Sequence, residues 1–256
     1  MKAYELISWL EKKYPADAAE DWDNVGLLTG DDTNEISHVF LALDLTEETL
    51  AEAIEDGADM IITHHPMIFS GIKKINNHNF TGRKIIKLIQ KGIVYYAMHT
   101  NYDVMGMAEL AADMLDLKDR KVLEEVLDGE GIGRVGDLPR SMTLEECANF
   151  VKGRFGLPNV KIFGEPEKQV QRAAICPGSG KSEAKPALSM GAEVYITGDI
   201  DHHTGIDMAD CGMAIIDAGH YGVEHIYIAD MEHFLKENCP ELRVYTAPVK
   251  QPFQVL

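Results

Sequence analysis

Apolar residues along this chain gather in short runs bounded by glycine and polar residues, and the runs alternate with stretches of helical period. Ala3 to Lys13 predicts an amphipathic helix, followed by an extended Asn24-Val25-Gly26-Leu27-Leu28. His38 to Asp44 reads as a strand. Thr46 is placed to cap a helix from Glu47 to Glu55, which Gly57 ends. Next come a strand closing at Thr63, a helix near Arg83 to Lys91 stopped by Gly92, a strand to Ala97 and a helix to about Leu115. Strands alternating with helices predict mainly parallel pairing, with functional loops at the strands' carboxyl ends.

The second half repeats this order. Thr143 and Glu146 form a capping-box pattern at a helix start. Asn159 to Phe163 and Val170 to Cys176 read as strands, and Lys181 to Met190 as a helix. Glu193-Val194-Tyr195-Ile196-Thr197 matches Asp59-Met60-Ile61-Ile62-Thr63, each preceded by Gly-Ala. Gly212 to Ile216 matches Gly92 to Tyr96, and a helix from Val223 to Glu237 matches the one ending near Leu115. The expectation is an α/β protein of two duplicated repeats, 1–125 and 126–256, with the charged, glycine-rich stretch Asp116 to Pro139 as connector.

Composition narrows the class. The apolar content of 45% and charged content of 26% are those of an ordinary globular chain. No run approaches the length of a membrane span, and the first ten residues lack a signal-peptide pattern, so the cytoplasm is the expected compartment. The four cysteines are widely spaced, which argues against a zinc ribbon or a disulfide scaffold. A net charge of −18 repels nucleic-acid phosphates and acidic membranes, so no extended nucleic-acid surface is expected. A small anionic substrate stays open, because bound dications reverse the local field.

The candidate chemistry lies at strand ends. His64-His65-Pro66 closes one apolar run, and His99-Thr-Asn-Tyr-Asp103 and His220-Tyr-Gly-Val-Glu224 follow two others. Imidazole and carboxylate together suit divalent metals. Each cluster has a plainer alternative: a polar turn for His64-His65, a surface i,i+4 hydrogen bond for His220 and Glu224, and a helix N-cap for Asp103. His99 is better suited to orienting a ligand or a water than to ligating. Gly178-Ser179-Gly180-Lys181-Ser182 is half of a phosphate-binding loop, since Ile175 stands where the first glycine would be. A tight turn is the plainer reading, with Lys181 as a candidate phosphate contact. Thr197-Gly198-Asp199 and His202-His203 are candidates to line the same crevice. Trp22, in Asp21-Trp22-Asp23-Asn24, is expected to be packed.

Taken in order, Asp21 to Leu27, Ala42 to Thr46, Thr63-His64-His65-Pro66, His99 to Asp103, Thr197-Gly198-Asp199 and Gly219-His220-x-x-x-Glu224 resemble the GTP cyclohydrolase I type 2, or Nif-three-like, family nearly end to end. The resemblance implies two intertwined α/β repeats, in the short form without an inserted domain, and a toroidal homohexamer made as a trimer of dimers. It implies two divalent ions per subunit, zinc, iron, manganese or nickel. His65 and Asp103 would hold one, His64 and His220 the other, with Glu224 bridging. The implied reaction is hydrolytic opening of the guanine imidazole ring of GTP, with formate lost and His99 or Glu224 moving protons. A phosphoesterase, and a non-catalytic metal-binding or scaffold protein, are the competing expectations.

Overall fold

The computed structural model describes residues 1–254; Val255 and Leu256, the end of the expected second repeat, lie outside the described residues. Backbone contacts divide the chain into two units, Met1–Tyr102 with Tyr227–Lys250, and Asp103–Ile226 with the chain from Gln251 onward. The chain therefore passes from one unit to the other at three peptide bonds.

The first unit holds a five-stranded sheet in the order Gly26–Thr29, Val94–Ala97, Met60–Thr63, His38–Ala42, Arg243–Thr246. Its inner pairings are parallel and in register, with Leu41 beside Ile62 and Ile62 beside Tyr96. Only Gly26–Thr29, at one edge, runs antiparallel. Every residue of Met60–Thr63 and Val94–Ala97 is buried, as parallel strands covered on both faces require. The helices Glu47–Glu55 and Phe80–Lys91 form the crossovers, and Leu50 and Leu88 pack with Phe40, Ile61 and Tyr95 in one core. Thr46 caps the first of these helices as expected. The second begins three residues earlier than expected because Asn79 accepts the Gly82 N–H. Gly92 ends it at φ +67°, in the left-handed region. The edge strand Arg243–Thr246, parallel to His38–Ala42, has no counterpart in the sequence reading.

The second unit holds a six-stranded sheet in the order Lys118–Leu127, Glu130–Thr143, Gln169–Ser179, Val194–Gly198, Ala214–Asp217, Lys161–Phe163. Its parallel centre is Gln169–Ser179, Val194–Gly198 and Ala214–Asp217, and the remaining pairings are antiparallel. The stretch read as a connector is a long hairpin instead. Leu127 pairs with Glu130 across a two-residue turn in which Asp128 and Gly129 both have positive φ, +42° and +86°. That is the backbone a twisted hairpin favours, and Asp-Gly is among the residue pairs that adopt it most readily. Three helices also differ. Lys181 to Met190 shortens to Ala184–Ser189, and the expected Val223 to Glu237 helix divides into His220–Glu224 and Ile226–Asn238. His202–Asp210 is an additional helix, capped by Asp201. The protein is thus mixed α/β with two mixed sheets. No helix among the described residues is long and apolar enough to cross a membrane.

The capping box at Thr143 is reciprocal: Thr143 Oγ1 accepts the Glu146 N–H at 3.1 Å, and Glu146 Oε2 accepts the Thr143 N–H at 2.9 Å. Thr143→Ala should lower unfolding stability by about 1 kcal/mol in urea titrations, and Thr143→Ser should restore most of it. An unchanged midpoint in the alanine variant would show that the cap contributes nothing.

Candidate metal centre

Three histidines meet at the carboxyl ends of two parallel strands in the first unit. His64 and His65 follow Met60–Thr63, and their backbone N–H groups still bond to Ala42 and Leu43 of the neighbouring strand. Thr63 Oγ1 donates to the His65 carbonyl at 2.8 Å and shares a 2.8 Å hydrogen bond with Tyr95 Oη. Tyr95 Oη also accepts the Met67 N–H. These bonds hold the turn at Pro66 that brings two adjacent imidazoles to one side, with ring centres 5.0 Å apart. His99, just beyond Val94–Ala97, completes the group, and one ring nitrogen from each of the three lies within 4.8 Å of the others.

In the second unit, Gly219 at φ +77° leads into the short helix His220–Glu224, where His220 Nε2 stands 3.0 Å from Glu224 Oε2. Two glycines make room for this pair. A Cβ on Gly178 would lie 2.4 Å from Glu224 Oε1, and one on Gly198 would lie 2.4 Å from the His220 backbone nitrogen. Asp217 accepts the Gly219 and Ile200 N–H groups, fixing both loops that flank His220. Asp103 opens a π-helical turn, Asp103–Met107, inside a helical run, so it is not an N-cap. Burial first, then the charges of Glu183, Asp103 and Glu224, push the Cys176 thiol well above its ordinary range.

One feature unites the four imidazoles. Each directs Nδ1 at an oxygen: His64 at the Met98 carbonyl (2.8 Å), His65 at Asp44 (2.8 Å), His99 at Asp23 (2.9 Å) and His220 at Asp199 (3.0 Å). Carbonyl and carboxylate oxygens only accept, so Nδ1 carries the proton in all four, which leaves the lone pair on Nε2 in His64, His65 and His99. His220 Nε2 instead faces Glu224 Oε2 at 3.0 Å, an approach that takes a proton or a cation between the two. Oxygen acceptors of this kind set the tautomer of metal-binding histidines and raise their basicity. The residues therefore fit divalent ions by donor chemistry.

Sequence reasoning named Asp199 as crevice lining but not as a partner of His220, and it gave no role to Asp23 or Asp44. Asp23 is fully enclosed, and besides His99 it accepts the Thr100 N–H at 3.0 Å and the Thr100 hydroxyl at 2.5 Å. Burial raises its pKa, but the hydrogen bonds from His99 and Thr100 outweigh burial and hold it at about 2. Asp199 adopts φ +53°, unusual for a residue with a Cβ, and thereby reaches His220. Trp22 is not packed: it is 56% exposed and stands beside Phe69, with its ring centre 6.0 Å from that of His99. Lys181 pairs with Asp201, the cap of the helix that His202 and His203 begin, and both imidazoles are exposed there. The half phosphate loop is a tight turn after Ser179, held by Gly180 N–H to Thr197 and by Tyr195 to the Gly180 carbonyl.

An α/β protein with candidate metal donors at its strand ends describes many folds, and comparison narrows the class to one. The model of the Duf34/NIF3 (NGG1p interacting factor 3) family matches residues 1–252, and the chain belongs to that family. It is 34% identical to the GTP cyclohydrolase 1 type 2 homolog of Clostridium perfringens over 262 residues, covering 100% of both chains. It is 38% identical to the protein of the same name from Streptococcus pneumoniae, covering 93% of this chain and 91% of that one. The crystal structure of Staphylococcus aureus protein SA1388 superposes with a TM-score of 0.90 at 31% identity, covering 100% and 99%.

Two predictions follow from the carboxylates. Asp44→Asn and Asp199→Asn should each weaken divalent-metal affinity about 10–100-fold in chelator competition, without removing a donor atom. Unchanged affinity in both would sink the tautomer argument. Asp23 is held below its usual 3.8, so its contribution to stability is present above the ordinary carboxylate range and lost as pH falls through about 2. Asp23→Asn should flatten the acid limb of the stability–pH curve, by on the order of 2 kcal/mol between pH 5 and 2.

Proposed function

We propose that this protein is a divalent-metal-dependent hydrolase acting on a nucleotide in the manner of a GTP cyclohydrolase. In this reading His64, His65, Asp103, His220 and Glu224 would hold two divalent ions. The observation that carries it is that four imidazoles commit Nδ1 to an oxygen, which leaves Nε2 as the donor in His64, His65 and His99 and aims that of His220 at Glu224. The names of the relatives, GTP cyclohydrolase 1 type 2 homolog, supply the substrate class. The same reading carries homohexameric assembly and a cytoplasmic setting.

Bound divalent ions supply Lewis acidity and lower the pKa of water. The chain's own residues do the rest. His99 Nε2 accepts a proton as water adds to the imidazole carbon of guanine, and the Asp23 carboxylate stabilises the imidazolium that results. The same Nε2 returns the proton to the ring nitrogen that leaves. Asp44 and Asp199 hold the Nδ1 protons of His65 and His220 throughout.

Metal-loaded protein should release formate from GTP, and His99→Gln should slow that release by about 10²–10⁴ while metal content stays the same. Native protein should contain two ions per chain by elemental analysis, and Glu224→Ala should contain fewer. Phosphate release without formate would replace this reading with a phosphoesterase. Neither product with any of zinc, iron, manganese or nickel would leave a non-catalytic metal-binding protein.

A further inference from the structure

Gln251, Phe253 and Gln254 belong to the second unit and help close a cavity of about 590 Å³ there. Its wall includes Asp199, the carboxylate that takes the His220 Nδ1 proton, and Gly219, the residue before His220. Phe253 stands at this wall, 55% exposed as a residue, and a Cβ on Gly219 would meet its ring edge at 4.0 Å. Gln251 lies against the helix that carries His220 and Glu224, its Nε2 3.6 Å from where a Cβ on Gly222 would be. Its Oε1 is shielded from solvent and has no hydrogen-bond partner among the described residues. A shielded acceptor without a donor is rare in folded proteins and marks a place where a ligand or water supplies one. Asn159 brings a second carboxamide to the same wall.

We propose that this cavity is a base-binding subsite for a purine, the flat ring lying on Phe253 and an N–H on its edge donating to Gln251 Oε1. A carboxamide presents donor and acceptor side by side in one plane. That matches the amide edge of guanine and the amino edge of adenine alike, and an exposed aromatic ring beside it is a stacking surface for either. The base would then sit next to Gly219 and His220, at the end of the helix that carries two of the proposed metal donors. The placement of chemistry beside the base rests on the hydrolase reading; binding of the base does not.

The test titrates full-length protein, metal-loaded and metal-free, with guanosine, adenosine and ribose 5-phosphate by calorimetry. One nucleoside should bind saturably to both forms, and ribose 5-phosphate should not; which nucleoside binds identifies the edge that Gln251 reads. Gln251→Leu and Phe253→Ala should each weaken binding tenfold or more with metal content and thermal midpoint unchanged, and Trp9→Ala should leave it unaltered. No nucleoside binding to the wild type, or wild-type affinity in both variants, overturns the proposal. Nucleoside binding in a protein that turns over no substrate would sink the hydrolase reading and leave the subsite standing.

Discussion

Strands buried on both faces admit a charge only at their ends, as with Asp217, whose carboxylate meets Lys161 and the Ile200 and Gly219 N–H groups. Met60–Thr63, Val94–Ala97, Val194–Gly198 and Ala214–Asp217 are buried at every position, and an imidazole or carboxylate in mid-strand would lose water with nothing to replace it. Polar chemistry is displaced to the first residues beyond each strand, where backbone bonding ends and loops begin. His64 and His65 occupy that position after one strand, His99 after another, Asp199 and His220 after two more. The parallel pairings then carry these ends to the same edge within each sheet, as Leu41, Ile62 and Tyr96 lying abreast illustrate.

What happens at those ends depends on the proton of each imidazole. A neutral ring has one N–H and one lone pair, so committing the first decides where the second points. The histidines themselves were legible, because His64-His65, His99 and His220 each stand just past a short apolar run. Their partners were not, because Asp23 and His99 are far apart in sequence, as are Asp44 and His65, and nothing in spacing links them. Only the folded sheet brings an aspartate from one loop to a histidine on the next. Asp199 had a faint signal, a glycine before it, but its left-handed backbone is a property of the turn and not of the residue type.

The fold divides in a similar way between what is local and what is not. Thr46, Gly92 and the Thr143–Glu146 pair act within one turn of helix, and each helix end they predict is found. The hairpin Lys118–Thr143 was hidden by its charge, although Asp128-Gly129 is a two-residue turn signal in plain view. The strand Arg243–Thr246 could not be recognised from four residues alone; it is a strand because His38–Ala42 offers a parallel edge to it. The last long helix divides at His225, whose Nε2 meets the Phe155 carbonyl at 2.9 Å, and nothing in the local sequence marks that division.

The interleaving of the two units bears on how the molecule is made. On the ribosome, nearly all of the first sheet emerges before residue 103, yet its last strand, Arg243–Thr246, is delivered only after the second unit's sheet. Through that interval His38–Ala42 presents an unpaired parallel edge, a template for mispairing with another nascent chain. The second unit, continuous from Asp103 to Ile226, has its whole sheet available first. Order of translation and order of completion are therefore reversed, and neither unit can be cut out as one uninterrupted fragment. The chain folds as a whole or leaves an edge exposed.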